Sequence, residues 1–159
     1  MTYADFTERI IAMQPRLYRV SAGILRQRAD QEDAVQSSLE RAWRKLPTLR
    51  DDAILETWVT RILINECRSI LRRKRWVVPV ETVPDMPAPP TADPDLYRFF
   101  TSLPDKLRLT MTLHYVEGLD VAEIARLLRL PEGTVKSRLA RGREKMKEDA
   151  SLWEEVYEG

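Results

Sequence analysis

Thr134, Ser137, Arg138 and Arg141 recur at i, i+3, i+4 and i+7, which places two hydroxyls and two guanidinium groups on one face of a helix. Lys136, Arg143, Lys145 and Lys147 flank that face, and Glu144 is the one acid between 134 and 147. The chemistry such a row offers is recognition of a polyanion. A helix enters the major groove of DNA, where arginine bonds guanine bidentately and threonine bonds bases or touches a thymine methyl. Flanking cations suit phosphates and set register. The plainer alternative is a solvated basic helix end, because cations near a helix C-terminus are stabilising in any case.

A second row lies upstream. Trp58, Arg61, Asn65, Arg68 and Arg72 follow i, i+3, i+7, i+10 and i+14, again one helical stripe, and Arg68–Arg75 holds five basic residues and no acid. An aromatic ring, an amide and guanidinium groups on one face suit a strand with exposed bases: stacking, base-edge hydrogen bonds and phosphate contacts. Core packing for Trp58 and an inter-helix polar role for Asn65 stay open as alternatives. Catalytic and metal chemistry have little to work with. His114 and Cys67 are the only residues of their types, and there is no glycine-rich phosphate loop or HExxH pattern. No enzyme, metal site or cofactor is expected; Cys67 and His114 read as structural. One cysteine points to a reducing compartment, the cytosol. No apolar run long enough to span a bilayer and no signal peptide is evident, so the protein is not expected to be membrane-embedded.

The elements that must position these residues read as helices throughout, with no sustained period-two alternation. Phe6, Ile10, Met13, Leu17, Val20 and Ile24 form one apolar stripe. Pro15 predicts a break, with a short helix over about 4–13 and a second from Pro15. Asp30 with Asp33 predicts a capped third helix carrying Ala34, Val35, Leu39, Ala42, Trp43 and Leu46, stopped by Pro47. A fourth helix is predicted from about Ile54 to Arg75, its apolar set being Leu55, Trp58, Val59, Ile62, Leu63, Cys67, Ile70 and Leu71. Further helices are predicted near 95–102, 104–117, 120–128 and 131–148, with Pro104 and Pro131 as first-turn prolines and Gly118 after a helix C-terminus. Asp120 with Glu123 forms a capping box, Leu130–Gly133 makes a turn, and Val135, Leu139, Gly142 and Met146 face inward. Together these make a helix-turn-helix.

The net charge of +1 hides a segregation. Residues 1–78 carry +5, residues 79–95 carry −4, residues 96–147 carry +5 and residues 148–159 carry −5. Six of the ten prolines fall between Pro79 and Pro94, so that stretch is expected to be extended and semi-stiff. At roughly 3.1 Å per residue it reaches about 50 Å, or about 15 base pairs of duplex. The expected organisation is all-α: a helical domain over 1–78, an acidic proline-rich linker over 79–94, a helix-turn-helix domain over 95–150 and an acidic tail over 151–159. Leu152, Trp153 and Val156 give the tail a small apolar patch.

With these motifs in place, the chain resembles the small two-domain bacterial sigma factors of the extracytoplasmic-function (ECF) class. The matching stretches are QEDAVQSSLERAWRKL, TWVTRILINECRSILRR and VAEIARLLRLPEGTVKSRLARGREKM, in the family's order around a proline-rich linker. The resemblance implies binding to core RNA polymerase and to promoter DNA, both duplex and melted strand. It places Asp33, Gln36, Ser37, Leu39 and Trp43 on the polymerase-binding helix. Leu49 and Arg50 fall in the loop that captures a flipped −10 base, and Asn65 at a helix position contacting that element. Thr134, Lys136, Ser137, Arg138 and Arg141 match the −35 reading helix. Ser37, Leu39, Ser69 and Ala140 depart from residues common in the family. A membrane-linked anti-sigma factor is implied as a further partner. The rival expectation is a stand-alone helix-turn-helix regulator that binds duplex DNA without polymerase; a pure interaction module is a third.

Overall fold

The computed structural model describes residues 1–76, 100 and 103–148. Among them every regular element is helical and no strand occurs. The chain divides into two compact units, Met1–Pro90 and Thr91–Gly159. The linker, the tail and most of the predicted 95–102 helix lie outside the described residues.

The first unit is built from α1 (Tyr3–Ala22), α2 (Arg28–Lys45) and α3 (Leu55–Trp76), with 3-10 turns at Leu46–Thr48 and Asp52–Ile54. The stripe on α1 is its buried face: Phe6, Ile10, Met13, Leu17 and Val20 are covered, as is Ile24 just beyond the helix. Burial of each large apolar side chain contributes about 1.5–3 kcal/mol. These side chains meet Ala34, Val35 and Ala42 of α2 and Leu55, Val59, Leu63, Ile64 and Cys67 of α3 in the core.

Two expectations need correction here. Pro15 does not break α1, which runs on as one helix. Proline deprives the Ile11 carbonyl of its helical partner; the residue lies on the outer side of α1, 62% exposed. Asp30 does not cap α2. The helix starts at Arg28 after Gln27, and Asp30 stands in its first turn. Lys74, near the end of α3, is the reason: it pairs with Asp30 and donates to the Gln27 side-chain oxygen at 2.8 Å. A tertiary partner thus takes the place of a local cap, and Asp30 still complements the helix dipole. Further ion pairs cross the unit. Arg9 of α1 holds Glu56 of α3 bidentately at 2.9 and 2.7 Å, and Arg41 of α2 meets Glu66 of α3 at 2.9 Å.

The second unit contains α4 (Asp105–Met111), a π turn (Thr112–Val116), α5 (Val121–Leu128) and α6 (Glu132–Glu148). Arg108 is buried, donating to the Leu103 carbonyl at 3.1 Å and to Asp105 at 2.8 Å. Gly118 has φ +71°, which glycine adopts without strain. His114 Nδ1 lies 2.8 Å from the Leu119 carbonyl oxygen and donates to it, closing this bend. Pro104 precedes α4 as its cap residue rather than standing in the first turn, and Pro131 immediately precedes α6.

The helix-turn-helix is formed by α5 and α6. The Asp120 carboxylate accepts from the Glu123 amide at 2.8 Å and Glu123 reaches back to the Asp120 amide at 3.3 Å, the predicted capping box. The turn is not made by Gly133, which is already inside α6; Arg129 makes it, at φ 56°. The Leu130 amide donates to the Ala125 carbonyl at 3.0 Å, compensating part of the strain of a left-handed non-glycine residue. Val135, Leu139, Gly142 and Met146 are the buried side of α6. A Cβ on Gly142 would stand 2.6 Å from Met111 Sδ, so glycine lets α6 approach α4 closely.

Candidate nucleic-acid and polymerase interfaces

On α6 the burial of one face decides the exposure of the other. With Val135 and Leu139 inward, Lys136, Ser137, Arg141 and Arg143 are exposed and Thr134 and Arg138 half-buried. The predicted face is therefore a surface, and it flanks a groove lined by Lys106, Gly133, Thr134, Ser137, Arg138 and Arg141. Lys106, from α4, is the member that sequence spacing does not reveal, because no periodicity links it to α6. Arg143 lies 3.4 Å from the exposed Tyr115 hydroxyl, whose ring edge packs on His114.

The α3 stripe is exposed to a different degree. Asn65 and Arg72 are exposed, whereas Trp58, Arg61 and Arg68 are half-buried. Core packing therefore accounts for part of Trp58 but not all of it, and Asn65 is not a polar residue sealed between helices. Arg72 is steadied by Ser69 Oγ at 3.1 Å. Ile62 and Leu71, assigned to the apolar set, are only half-buried, while Ile64 is fully covered. Leu49 is half-buried and Arg50 exposed, between the two 3-10 turns. Those turns stiffen the loop: Thr48 Oγ1 donates to the Lys45 carbonyl at 2.6 Å, and Asp51 accepts from the Ala53 amide at 3.0 Å.

On α2, Asp33, Gln36 and Ser37 are exposed, Leu39 is half-buried, and Trp43 is 45% exposed rather than part of the core. Trp43 is nonetheless ordered by α1. Tyr3 lies against its ring at a 4.3 Å centroid distance and Phe6 meets it edge-on at 5.8 Å. An apolar groove runs here, lined by Phe6, Leu39, Glu40, Trp43 and Arg44. An exposed tryptophan beside an apolar groove on a charged helix has the make-up of a protein-binding anchor.

Cys67 is fully covered, and burial pushes its thiol up to about 12, so it is not a nucleophile at neutral pH. Glu56 is held below the ordinary carboxylate range by its hydrogen bonds from Arg9, and Asp120 by the Glu123 amide. Among the described residues, no group of three His, Cys, Asp or Glu is placed to hold a metal ion, and no helix is long and apolar enough to cross a membrane.

Two family models match the chain: Sigma-70 region 2 over residues 10–77 and Sigma-70, region 4 over residues 95–146. The ECF RNA polymerase sigma factor SigM of Mycobacterium tuberculosis is 32% identical over 136 residues, covering 82% of this chain and 69% of that protein. The ECF RNA polymerase sigma-E factor of Escherichia coli strain K12 is 30% identical over 135 residues, covering 72% and 71%. Among solved structures, the sigma factor RpoE in complex with the anti-sigma factor NepR from Bartonella quintana aligns with a TM-score of 0.76 at 27% identity, covering 91% of this chain and 95% of that one. CnrH in complex with the cytosolic domain of CnrY aligns at 0.68 over 94% and 90%, and at 19% identity it speaks for the fold alone. The helix-turn-helix with its basic outer face, the three-helix unit before it and these likenesses converge: the chain belongs to the ECF family of RNA polymerase sigma factors, which direct transcription at specific promoters.

Proposed function

We propose that this sigma factor divides promoter recognition between its two units. In this reading α6 enters the major groove of the −35 element, with Thr134, Ser137, Arg138 and Arg141 toward base edges and Lys136 and Arg143 toward phosphates. Leu49 and Arg50, with the α3 stripe of Trp58, Arg61, Asn65, Arg68 and Arg72, engage the −10 element as it opens. The observation that carries the division is the contrast in burial: Lys136, Arg141 and Arg143 stand exposed on α6 with only Arg138 half-buried, whereas Trp58, Arg61 and Arg68 are all half-buried on α3. Extruding a base costs a few kcal/mol, and stacking on a fixed ring recovers part of it. Asp33, Gln36, Ser37, Leu39 and Trp43 form the polymerase-binding face, supported by the exposed Trp43 and the groove beside it.

The working domain limits are 1–78, a linker over 79–94, 95–150 and a tail over 151–159. The protein acts by binding rather than catalysis, without a cofactor, in the cytoplasm. An anti-sigma factor is a further partner of this chain; RpoE and CnrH, whose folds it shares, were each solved with a binding protein. The region 2 match over 10–77 counts against a stand-alone duplex-binding regulator. Run-off transcription with sigma-free core polymerase on a library of promoter fragments tests the whole reading. Defined start sites that require this chain are expected. Duplex binding without any start-site selectivity would return the regulator to favour.

A further inference from the structure

We propose that Lys106 of α4 and the open edge at Gly133 of α6 form a seat for one backbone phosphate of the duplex that α6 reads; this rests on the −35 reading above. The groove they share holds three cations, Lys106, Arg138 and Arg141, and two hydroxyls, Thr134 and Ser137, and among the described residues no carboxylate lines it. The nearest acid in sequence, Asp105, is drawn toward Arg108 at 2.8 Å. Lys106 itself is exposed and enters no ion pair among the described residues. An ammonium on a flexible stem is a point charge suited to a phosphate rather than to a base edge.

Gly133 supplies the second observation. Gly133 is the second residue of α6, where glycine gives up backbone order that alanine would keep, though at less cost than in a helix interior. Its φ is not left-handed, and a Cβ there would meet nothing within 4 Å among the described residues. Among the described residues neither the turn nor the packing demands glycine at 133, in contrast to Gly142, which packs on Met111. The space a side chain would fill opens onto the same groove as Lys106. A sugar-phosphate strand passing along the groove edge accounts for both residues: Lys106 neutralises it and Gly133 lets it approach.

The test uses holoenzyme assembled from core polymerase and the full chain, with promoter affinity measured by competition across a salt series. Lys106→Ala should weaken binding by the same factor on promoters that differ only in the −35 element. The wild-type advantage should shrink about 3.5-fold between about 50 and 200 mM salt, the signature of one lost phosphate contact. Lys106→Arg should restore most of the affinity. Gly133→Ala should hold or raise the melting temperature while lowering promoter affinity, which a merely structural glycine would not do. Arg141→Ala, run alongside, separates the two readings. If it loses −35 discrimination while Lys106→Ala changes nothing, the seat is wrong and the reading helix stands. If neither variant changes binding, both fall. A Lys106→Ala loss confined to one base pair, or a Gly133→Ala protein that binds normally, overturns the seat as described.

Discussion

Helix α3 of the first unit and helix α6 of the second each carry a row of arginines, yet the two rows meet solvent differently. On α6 the apolar side is narrow, set by Val135, Leu139, Gly142 and Met146, and Lys136, Arg141 and Arg143 stand clear of it. On α3 the helix packs against both α1 and α2, so burial spreads around its circumference and catches Trp58, Arg61 and Arg68 halfway. Both helices pack against two others, α6 against α4 and α5, but α6 does so through a narrow line that includes Gly142, and this leaves long cations clear of the core. On α3 the covered arc is wider, and it offers a ring edge and guanidinium planes that packing already restricts. Such groups lose less conformational entropy on meeting an unpaired base.

The largest effects should come from the cores that create this contrast. Leu63→Ala and Leu139→Ala each remove a buried leucine and should cost about 2–5 kcal/mol in the unit that contains it. Calorimetry of the full chain should show each variant lowering a different transition. One shared transition that moves with either variant would mean that the two cores unfold together. Next in size, Arg141→Ala should cost about 1–3 kcal/mol at one −35 base pair if the guanidinium is bidentate to guanine. Affinities for a set of single-base promoter variants check this, and a uniform loss would make Arg141 a phosphate contact.

Asn65→Ala should cost about 1 kcal/mol, the worth of one hydrogen-bonding side chain, and should fall on strand opening rather than on duplex binding. Permanganate reactivity of the −10 region, set against closed-complex affinity, reads the two separately; equal losses would erase the proposed difference between α3 and α6. The smallest effect belongs to Glu56→Gln, which breaks the pair with Arg9. The pair is partly exposed, with side-chain exposures of 33% and 37%, so screening limits it to less than about 1 kcal/mol. The folded-state pKa of Glu56 lies below its ordinary value of 4.5. The contribution is therefore fully present above that pH and is lost as pH falls through the lowered value. The wild type should lose stability in the first unit only in acid, and Glu56→Gln should flatten that part of the curve. The Asp120 cap in the second unit follows the same sign, through the Glu123 amide.

Much of this molecule was legible from spacing because helices declare themselves locally. The α1 stripe, the Asp120–Glu123 capping box and the buried line of Val135, Leu139, Gly142 and Met146 all follow from a 3.6-residue period and from short-range hydrogen bonding. Where periodicity misled, a distant residue was responsible. Asp30, in the first turn of α2, is paired with Lys74 of α3 rather than capping its own helix. Trp43 reads as core by its position in the pattern but projects from α2, held by Tyr3 and Phe6 of another helix.

What the residues by themselves determined is helix content, the helix-turn-helix and the basic face of α6, since each depends on neighbours within a turn or two of the chain. Tertiary packing alone decided how far Trp58, Arg61 and Arg68 are covered and that Lys106 shares a groove with α6. Burial and proximity across separate helices arise from the three-dimensional filling of space, which no single period along the chain encodes.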